Sequence, residues 1–440
     1  MVGNIWAKNQ SGPRIVCPLQ HPLTGTLAVP GDKSLSHRAL LLAAMARTPS
    51  RLSGLLDSWD VRSTYSIIQQ LGAKFSGPWN NLSVQGWENK RCPGPLPLDC
   101  GNSGTSMRLL AGALAGGNGC YTLTGDSSLN ARPMRRIVEP LCFMGADISC
   151  TADYTAPLLL NSRSCLRAIQ WELPMASAQV KSCLLLAGTQ AEGMTVISAG
   201  AGCRDHTERL LSSLGVGVHS HSGTVQVEGP AQWDGFRMNI AGDLSAAAYP
   251  VGIAATVPGS RITVSGVNLN PTRLGFYRIL RRMGAAVTWK VRGVEMGEPW
   301  GDLQAEYNGL RGTVIEPEEI PGCVDELILL AVMAASAQGT TELRGAEELR
   351  CKESDRLSST VRELLRLGVD IRERKDGWTV HGPTRWQSGQ VCTHGDHRLE
   401  MSLAAAALAA SPARETIIED ARWSAISWPS FWGDLMQWCS

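Results

Sequence analysis

The sequence has no excess of charge of either sign and no long hydrophobic run. Its 440 residues include 41 Lys and Arg against 40 Asp and Glu, which gives a formal net charge of +1. The basic residues are scattered, and this argues against nucleic-acid or membrane-surface partners. No apolar run reaches the roughly 18 residues that span a bilayer. The opening segment MVGNIWAKNQSGPRIV has no signal-peptide core. These absences predict a soluble, cytoplasmic protein.

Metal-binding patterns are also absent from the sequence. The 13 cysteines include no CxxC or CxxH pair, and the spacings Cys92 to Cys100 and Cys142 to Cys150 are too wide for a zinc knuckle. No set of His, Cys and carboxylate residues has the spacing of metal ligands. We therefore expect free thiols in a reducing compartment, and no metal.

One segment looks like a phosphate loop but lacks the glycines that define it. PGDKSLSHRALLLAA, from Pro30 to Ala44, has a glycine turn and a Lys-Ser pair ahead of an apolar helix. The nucleotide-binding pattern GxxxxGKS or GxxxxGKT requires a glycine directly before the lysine. Here Asp32 precedes Lys33, and Leu27 stands where the first glycine would be. The sequence therefore excludes a nucleotide-binding loop of this type.

What the chain does contain is one pattern repeated six times, over a length that exceeds a single ordinary core. A polar loop marked by Gly or Pro leads into an Ala- and Leu-rich helix, and a strand-like run follows. These helices are apolar on nearly all faces, so we expect them to be buried. The six segments are SHRALLLAAMA from Ser36, NSGTSMRLLAGALAG from Asn102, SAQVKSCLLLAG from Ser177, DLSAAAYPVGIAA from Asp243, VDELILLAVMAASA from Val324 and DHRLEMSLAAAALAA from Asp396. Six units predict two domains of three, although periodicity alone fits an ordinary α/β protein equally well.

Polar residues at the starts of these helices favour a site for anions. Lys33, Ser34 and Arg38 lie at the first start, where Ser34 and Arg38 share a helical face. The free N–H groups and the dipole of a helix start favour an anion. Lys together with Arg is typical of phosphate or carboxylate binding. Taken singly, each residue also fits a solvated surface charge.

The second repeat leads into a run of arginines. Gly104 lies in a glycine-containing turn that would let a ligand approach the backbone. At least one of Arg132, Arg135 and Arg136 is expected to face an anion, with the others on the surface or in structural roles.

The fifth repeat brings carboxylates together with basic residues. In LRCKESDRL, Lys352 and Arg356 are predicted to share a helical face, a pattern that also fits a solvated helix. Asp325 fits either a helix cap or, with Glu353, a general acid or base.

Nine segments, in order from Pro30 to Met401, together resemble the enolpyruvyl transferase family. They are PGDKSLSHRALLLAA, DCGNSGTSMRLLAG, GDSSLNARPM, SAQVKSCLLLAG, RDHTERLL, GDLSAAAYP, VDELILLA, LRCKESDRL and GDHRLEM. The resemblance implies a two-domain, inside-out α/β barrel with three βαβαββ units in each domain. It places one domain at 1–30 plus 243–440 and the other at 31–242, with crossovers near Val29–Pro30 and Gly242–Asp243. The active site would lie in the cleft between the domains.

The resemblance also implies a reaction. The enolpyruvyl group of phosphoenolpyruvate would pass to the 5-hydroxyl of shikimate 3-phosphate, with release of phosphate, in the shikimate pathway to chorismate and aromatic amino acids. No cofactor or metal would be needed, and we expect a monomer. Asp325 would accept the hydroxyl proton, and Glu353 would move the proton at C3 of phosphoenolpyruvate. Lys33 would be a further acid or base.

The substrate contacts implied by the family motifs are mostly basic and amide groups. Those for shikimate 3-phosphate are Lys33, Ser34, Arg38, Ser177, Ala178, Gln179, Asp325 and Lys352. Those for phosphoenolpyruvate are Lys33, Gly104, Arg132, Gln179, Arg356 and Arg398. Supporting roles fall to Asn102, Thr105, Arg108 and His397.

Four positions bear on how closely the chain follows the family pattern. Ile426 stands where some relatives carry a lysine near the phosphoenolpyruvate phosphate, and Ala178 stands where some have a second serine. Gly104 is the small residue that admits the inhibitor glyphosate in the family, so we expect glyphosate to inhibit the protein, to a degree that Leu109 affects.

Two alternative functions remain open. One is transfer of the enolpyruvyl group to UDP-N-acetylglucosamine, and the other is a non-catalytic anion-binding protein on the same scaffold. The first is disfavoured because TGDSSLNARP lacks a cysteine.

Overall fold

The computed structural model describes residues 12–87, 91–162, 165–410 and 415–439. The expectation for the opening segment therefore lies largely outside it, in residues 1–11. The α-helices in chain order are α1 (Lys33–Met45), α2 (Trp59–Gln70), α3 (Gly104–Leu114), α4 (Ser127–Asn130), α5 (Arg135–Phe143), α6 (Ala178–Gly188), α7 (His206–Ser213), α8 (Leu244–Thr256), α9 (Gly275–Arg282), α10 (Leu327–Ala335), α11 (Arg356–Arg366), α12 (His397–Ala409) and α13 (Phe431–Cys439).

Short strands alternate with these helices along the chain. They are β1 (Arg14–Val16), β2 (Thr24–Leu27), β3 (Ser50–Ser53), β4 (Lys74–Ser76), β5 (Asn81–Gln85), β6 (Leu96–Asp99), β7 (Gly119–Thr124), β8 (Ile148–Ser149), β9 (Leu158–Ser162), β10 (Leu166–Arg167), β11 (Gln170–Glu172), β12 (Ala191–Ser198), β13 (Val218–His221), β14 (Thr224–Gly229), β15 (Arg237–Asn239), β16 (Arg261–Asn268), β17 (Ala286–Glu295), β18 (Glu298–Glu306), β19 (Val314–Ile315), β20 (Gly339–Leu343), β21 (Asp370–Arg374), β22 (Gly377–Gly382), β23 (Gly389–Cys392) and β24 (Thr416–Glu419).

Within the described ranges the strands form six sheets, and five of them repeat one connectivity. In the sheet β6-β7-β9-β8, β6 pairs parallel with β7, whereas β9 pairs antiparallel with both β7 and β8. With α3 and the helices between β7 and β8, this is a βαβαββ unit. The sheets β10-β12-β14-β13 and β19-β20-β22-β21 follow the same order. The repeat predicted from the sequence is therefore confirmed.

Three sheets are completed by strands from distant parts of the chain. β15 pairs with β3, and β2 pairs with β16, each in parallel. β1 pairs antiparallel with β24 in a three-stranded sheet, so the last unit departs from the four-stranded pattern. Both amino-terminal strands thus join sheets of the carboxyl-terminal half.

Two hydrophobic cores contain the six predicted helices. One core is built from residues between Leu35 and Ile240 and includes α1, α3 and α6. The other holds Val16, Leu23 and residues from Leu244 to Leu435, with α8, α10 and α12 at its centre. All nine side chains of α10 are buried. This is the expected outcome for a helix that is apolar on every face.

The chain passes between the two cores at two adjacent points. Gly31 forms a β-bridge with Gly242, the Asp32 N–H donates to the Ala241 carbonyl at 2.8 Å, and the Asp243 N–H donates to the Pro30 carbonyl at 2.8 Å. A Cβ at Gly31 would lie 1.9 Å from the Gly54 carbonyl oxygen, so only glycine fits this crossing. We propose domain boundaries here, with 31–242 as one domain and 1–30 plus 243–440 as the other.

The described residues contain no helix that is both long and apolar enough to cross a membrane. They also contain no group of three or more His, Cys, Asp or Glu side chains that could hold a metal ion.

Candidate active site

A cleft lined by both halves of the chain collects the charged residues that the sequence pointed to. Its basic side chains are Lys33, Arg38, Arg108, Arg132, Arg136, Arg204, Arg273, Lys352, Arg356 and Arg398. Its carboxylates are Asp60, Asp243, Asp325, Glu348 and Glu353. Every substrate-binding and catalytic residue expected from the sequence lines this cleft. Of the supporting residues, Thr105, Arg108 and His397 line it as well, whereas Asn102 is outside the lining and accepts a hydrogen bond from Arg132.

The amino-terminal end of α1 is already occupied by carboxylates from the protein itself. Asp32 caps the helix by accepting from the Leu35 N–H at 2.8 Å, and Asp243 accepts from the Lys33 N–H at 3.1 Å. Buried Arg273 contacts both carboxylates, at 2.9 and 3.1 Å. The expectation that this helix start offers free N–H groups to an anion is therefore wrong for the N–H groups of Lys33 and Leu35. Anion binding here depends on side chains.

Lys33 and Arg38 project from the first two turns of α1. The Lys33 Nζ lies 3.1 Å from Oδ2 of Asp60, which is buried. Arg38 is 4% exposed, and its guanidinium donates to the hydroxyls of Thr207 and Ser182 at 2.8 and 2.7 Å. Burial lowers the Arg38 pKa to about 10, so the group remains charged at neutral pH.

A chain of hydrogen bonds fixes the side chains around Gln179 and Arg108. Arg108 donates to the Gln179 amide oxygen at 2.6 Å, and the Gln179 amide nitrogen donates to the Thr105 hydroxyl at 3.0 Å. Arg132 donates to the side-chain oxygen of Asn102 at 3.0 Å. Thr105 and Arg108 can therefore orient the side chain of Gln179, and Asn102 can orient that of Arg132.

Gly104 lies where these arginines converge. A Cβ at this position would be 2.8 Å from Nη1 of Arg108 and 3.1 Å from Nη1 of Arg132. Both atoms belong to long side chains, so a larger residue would displace them rather than break the fold. Glycine keeps this part of the cleft open.

Asp325 does not cap α10, which begins two residues later at Leu327. Its Oδ2 instead lies 2.7 Å from Nη1 of Arg204, and its Oδ1 lies 3.8 Å from Nη1 of Arg356. Burial alone would raise its pKa, but Arg204, Arg398 and Arg356 outweigh burial and hold the pKa of Asp325 well below its ordinary value. Asp325 is thus an ionised carboxylate facing the cleft.

The segment from Lys352 to Arg356 is not the continuous helix expected from LRCKESDRL. A 3-10 helix ends at Cys351, Lys352 is extended, and α11 begins at Arg356. Asp355 causes the break, because its side chain caps α11 by accepting from the N–H groups of Leu357 and Ser358. The predicted shared helical face is therefore wrong, although Lys352 and Arg356 both line the cleft.

Arg356 and Glu353 form one charged group with Asp396. Arg356 donates to Glu353 at 2.7 Å and to Asp396 at 2.8 Å. Arg132 approaches Glu353 from the other half of the chain, at 3.8 Å. Burial would raise the pKa of Glu353, but Arg356 and Arg132 hold it well below its ordinary value.

His397 and Arg398 open α12 with buried nitrogen atoms that have no acceptor among the described residues. These are both ring nitrogens of His397 and the Nε of Arg398, and Arg132 and Arg204 carry similar atoms. Burial first, then Lys33 and Arg398, lower the His397 pKa well below its ordinary value, so the ring is neutral. Buried polar nitrogens of this kind are rare without a partner, and an anionic ligand would supply an acceptor for those that carry a proton.

A sequence profile of the EPSP synthase (3-phosphoshikimate 1-carboxyvinyltransferase) family matches residues 19–435, nearly the whole chain. The chain belongs to the EPSP synthase family. The resemblance and the α/β architecture predicted from the sequence are confirmed.

Individual members of the EPSP synthase family support this assignment. The 3-phosphoshikimate 1-carboxyvinyltransferase of Halorhodospira halophila is 45% identical over 413 residues, which cover 93% of this chain and 92% of the relative. A solved structure of EPSP synthase from Acinetobacter baumannii superposes with a TM-score of 0.85 at 34% identity, covering 97% of this chain and 98% of that one. The enolpyruvyl transferase NikO from Streptomyces tendae, at 18% identity and a TM-score of 0.77 over 97% and 98% of the two chains, shares the fold.

The sequence did not point to several charged residues of the cleft, among them Asp60, Asp243, Arg204, Arg273 and Glu348. Asp60 resembles an ordinary acidic residue in the first turn of α2, and Arg273 belongs to no motif that we identified. Arg204 opens the segment RDHTERLL but has no role among the predicted site residues, and in the structure it pairs with Asp325. Ile426, the noted departure, is 1% exposed and does not line the cleft.

Proposed function

We propose that this chain transfers the enolpyruvyl group of phosphoenolpyruvate to the 5-hydroxyl of shikimate 3-phosphate, releasing phosphate in the shikimate pathway to aromatic amino acids. The observation that carries the proposal is the charge of the cleft, in which ten basic side chains face five carboxylates. Each substrate carries one phosphate and one carboxylate, and such a site matches their combined negative charge. No cofactor is part of the proposal.

The shikimate 3-phosphate site in this proposal is the wall formed by α1 and α6. Ser177 caps α6, and Ala178 and Gln179, which open that helix, line the cleft. A helix start capped by a neutral hydroxyl suits a phosphate better than the carboxylate-capped start of α1. Arg38 and Lys352 add positive charge, and Ser34 adds a hydroxyl.

The phosphoenolpyruvate site would lie on the other side of Lys33. Arg132, Arg356 and Arg398 are its basic residues, and Gly104 leaves room between them. Gln179 is held by Arg108 and Thr105 in a position to contact either substrate.

In the proposed reaction the 5-hydroxyl oxygen bonds to C2 of phosphoenolpyruvate while C3 gains a proton. Asp325 accepts the hydroxyl proton. In the free protein its pKa is low because of the surrounding arginines, and the negative charge of bound substrates would raise it toward that of a useful base. The tetrahedral intermediate then loses a C3 proton and phosphate, which restores the double bond.

The C3 proton has two candidate carriers. Glu353 lies 3.8 Å from Arg132, a proposed phosphoenolpyruvate ligand. Lys33 is held by Asp60 between the two substrate sites. An ionised Glu353 suits the removal of the C3 proton, whereas its delivery requires either a protonated Glu353 or Lys33.

The proposal includes action as a monomer in the cytoplasm. In support, the twelve cysteines from Cys17 to Cys392 are free thiols, as expected in a reducing compartment.

The test of the proposal is phosphate release from phosphoenolpyruvate by the purified protein with each of two acceptors. We expect release with shikimate 3-phosphate and none with UDP-N-acetylglucosamine. Release with the second acceptor alone would favour the alternative enolpyruvyl transferase, and release with neither would favour a non-catalytic anion-binding protein.

A further inference from the structure

Arg136 lies in the wall of the cleft with no assigned role. It occupies the first turn of α5 and is partly buried. It lines the same cleft as Arg108, Arg132 and Gln179.

The helix that carries Arg136 does not explain its charge. A cation in the first turn of a helix opposes the helix dipole. The first turn of α5 holds no acidic residue, and its N-cap, Met134, makes no side-chain hydrogen bond. The neighbouring Arg135 is balanced by Glu139 one turn later, at 2.5 Å on the exposed face. Arg136 points the other way, toward the cleft.

The protein offers Arg136 only a weak partner. Its Nη1 lies 2.6 Å from Sδ of Met175, and a thioether sulfur is a poor acceptor. Among the described residues, no carboxylate lies within ion-pair distance of this guanidinium. Most other arginines of the cleft contact a carboxylate, a hydroxyl or an amide group.

Arg136 also adds to a cluster of like charge. Burial first, then Arg132 and Arg136, lower the pKa of Arg108 to about 10. Arg108 contacts a neutral amide, and Arg132 has a carboxylate only at 3.8 Å. An anion bound among these three arginines would relieve their repulsion.

We propose that Arg136 is an additional anion-binding residue of this cleft and holds the phosphate or carboxylate of one of the two substrates. The inference rests on the proposed function. Met175, the present neighbour of Arg136, lies two residues before Ser177, in the segment assigned to shikimate 3-phosphate. Arg136 also belongs to the same cluster as Arg108 and Arg132, which lie on the phosphoenolpyruvate side of the cleft. Both substrates offer the same chemistry, and kinetic measurements on each one distinguish them.

The experiment compares Arg136→Gln and Arg136→Lys with the matched control Arg135→Gln. Steady-state phosphate release gives kcat and KM for each substrate. Loss of one charge-assisted contact should raise the KM of one substrate by about tenfold or more, with kcat within about twofold. Arg136→Lys should recover part of the affinity, because it keeps the charge without the two-pronged geometry. Arg135→Gln should leave both KM values unchanged.

Thermal unfolding separates binding from a structural role. Arg136→Gln removes an unfavourable first-turn cation, so its Tm should not fall. Unchanged KM values for both substrates would overturn the inference, and so would a lower Tm and kcat with unchanged KM. If the unaltered protein did not turn over the two substrates, the proposed function itself would fail. Normal turnover with unchanged KM in Arg136→Gln would refute the role of Arg136 alone.

Discussion

Replacing Asp325 by alanine tests the chemical step separately from binding. Its carboxylate is 2.7 Å from Arg204 and 3.8 Å from Arg356, and its pKa lies well below the ordinary value. It is therefore ionised and able to accept a proton at neutral pH. A positioned general base typically contributes a factor of about 10² to 10⁴. We expect Asp325→Ala to lower kcat by that factor, which corresponds to about 3 to 5 kcal/mol in the activation free energy.

Binding of shikimate 3-phosphate should survive the same change. Removing the carboxylate leaves Arg204 without its carboxylate partner and free to attract the substrate's anionic groups, whereas Arg356 keeps Glu353 and Asp396. We expect a Kd within about tenfold of the original, a range that covers the loss of one hydrogen bond. Calorimetry would give the Kd, and phosphate release would give kcat. Glu306→Gln is the control, because it removes an exposed carboxylate paired with Arg261. A kcat within tenfold of the original would refute the assignment of Asp325 as the base.

The remaining predictions concern the phosphoenolpyruvate side of the cleft. Gly104→Ala should raise the KM for phosphoenolpyruvate about tenfold or more by displacing Arg108, whereas Gly433→Ala, which has open space for a Cβ, should not. Glu353→Gln should lower kcat by about 10² or more and slow the entry of solvent deuterium at C3 of phosphoenolpyruvate, and unchanged exchange would assign that proton to another group. Histidine NMR should find His397 neutral at pH 6.5 in the free protein, because its pKa is lowered by burial and by cations. In the unfolded protein His397 gains a proton below about pH 6.5, whereas in the folded protein it stays neutral. His397 should therefore lower the free energy of unfolding as the pH falls below that value. A charged His397 ring at pH 6.5 in the folded protein would contradict this prediction.

The buried helices could be predicted from the sequence because their pattern is local. LILLAVMAA in α10 has no polar face, and a helix of that composition has to be surrounded by the rest of the protein. The convergence of Lys33, Gln179 and Arg398 on one cleft does not follow from this local pattern, and it was expected only from the family resemblance.

The charge pairs within the cleft could not be predicted in this way. Asp60 meets Lys33, and Arg204 meets Asp325, across separations of 27 and 121 residues. Such contacts depend on how the units pack, which the repeat pattern does not specify.

The helix starts were harder to predict than the helices. Side-chain capping decides where a helix begins and whether its N–H groups are free. Asp355 starts α11 later than the charge pattern suggested, and Asp32 occupies an N–H group of α1 that was expected to bind an anion. In both places the side chain of an aspartate caps the helix, and the charge pattern of the sequence does not show this.

The central claim is that this cleft joins phosphoenolpyruvate to shikimate 3-phosphate. Phosphorus NMR of the purified protein with both substrates tests it most directly, because each phosphorus atom is followed separately. We predict that the phosphoenolpyruvate signal disappears as inorganic phosphate appears in equal amount. The shikimate 3-phosphate signal should shift to that of its 5-enolpyruvyl derivative. Persistence of both substrate signals, or phosphate release without any change in the shikimate 3-phosphate signal, would contradict the account.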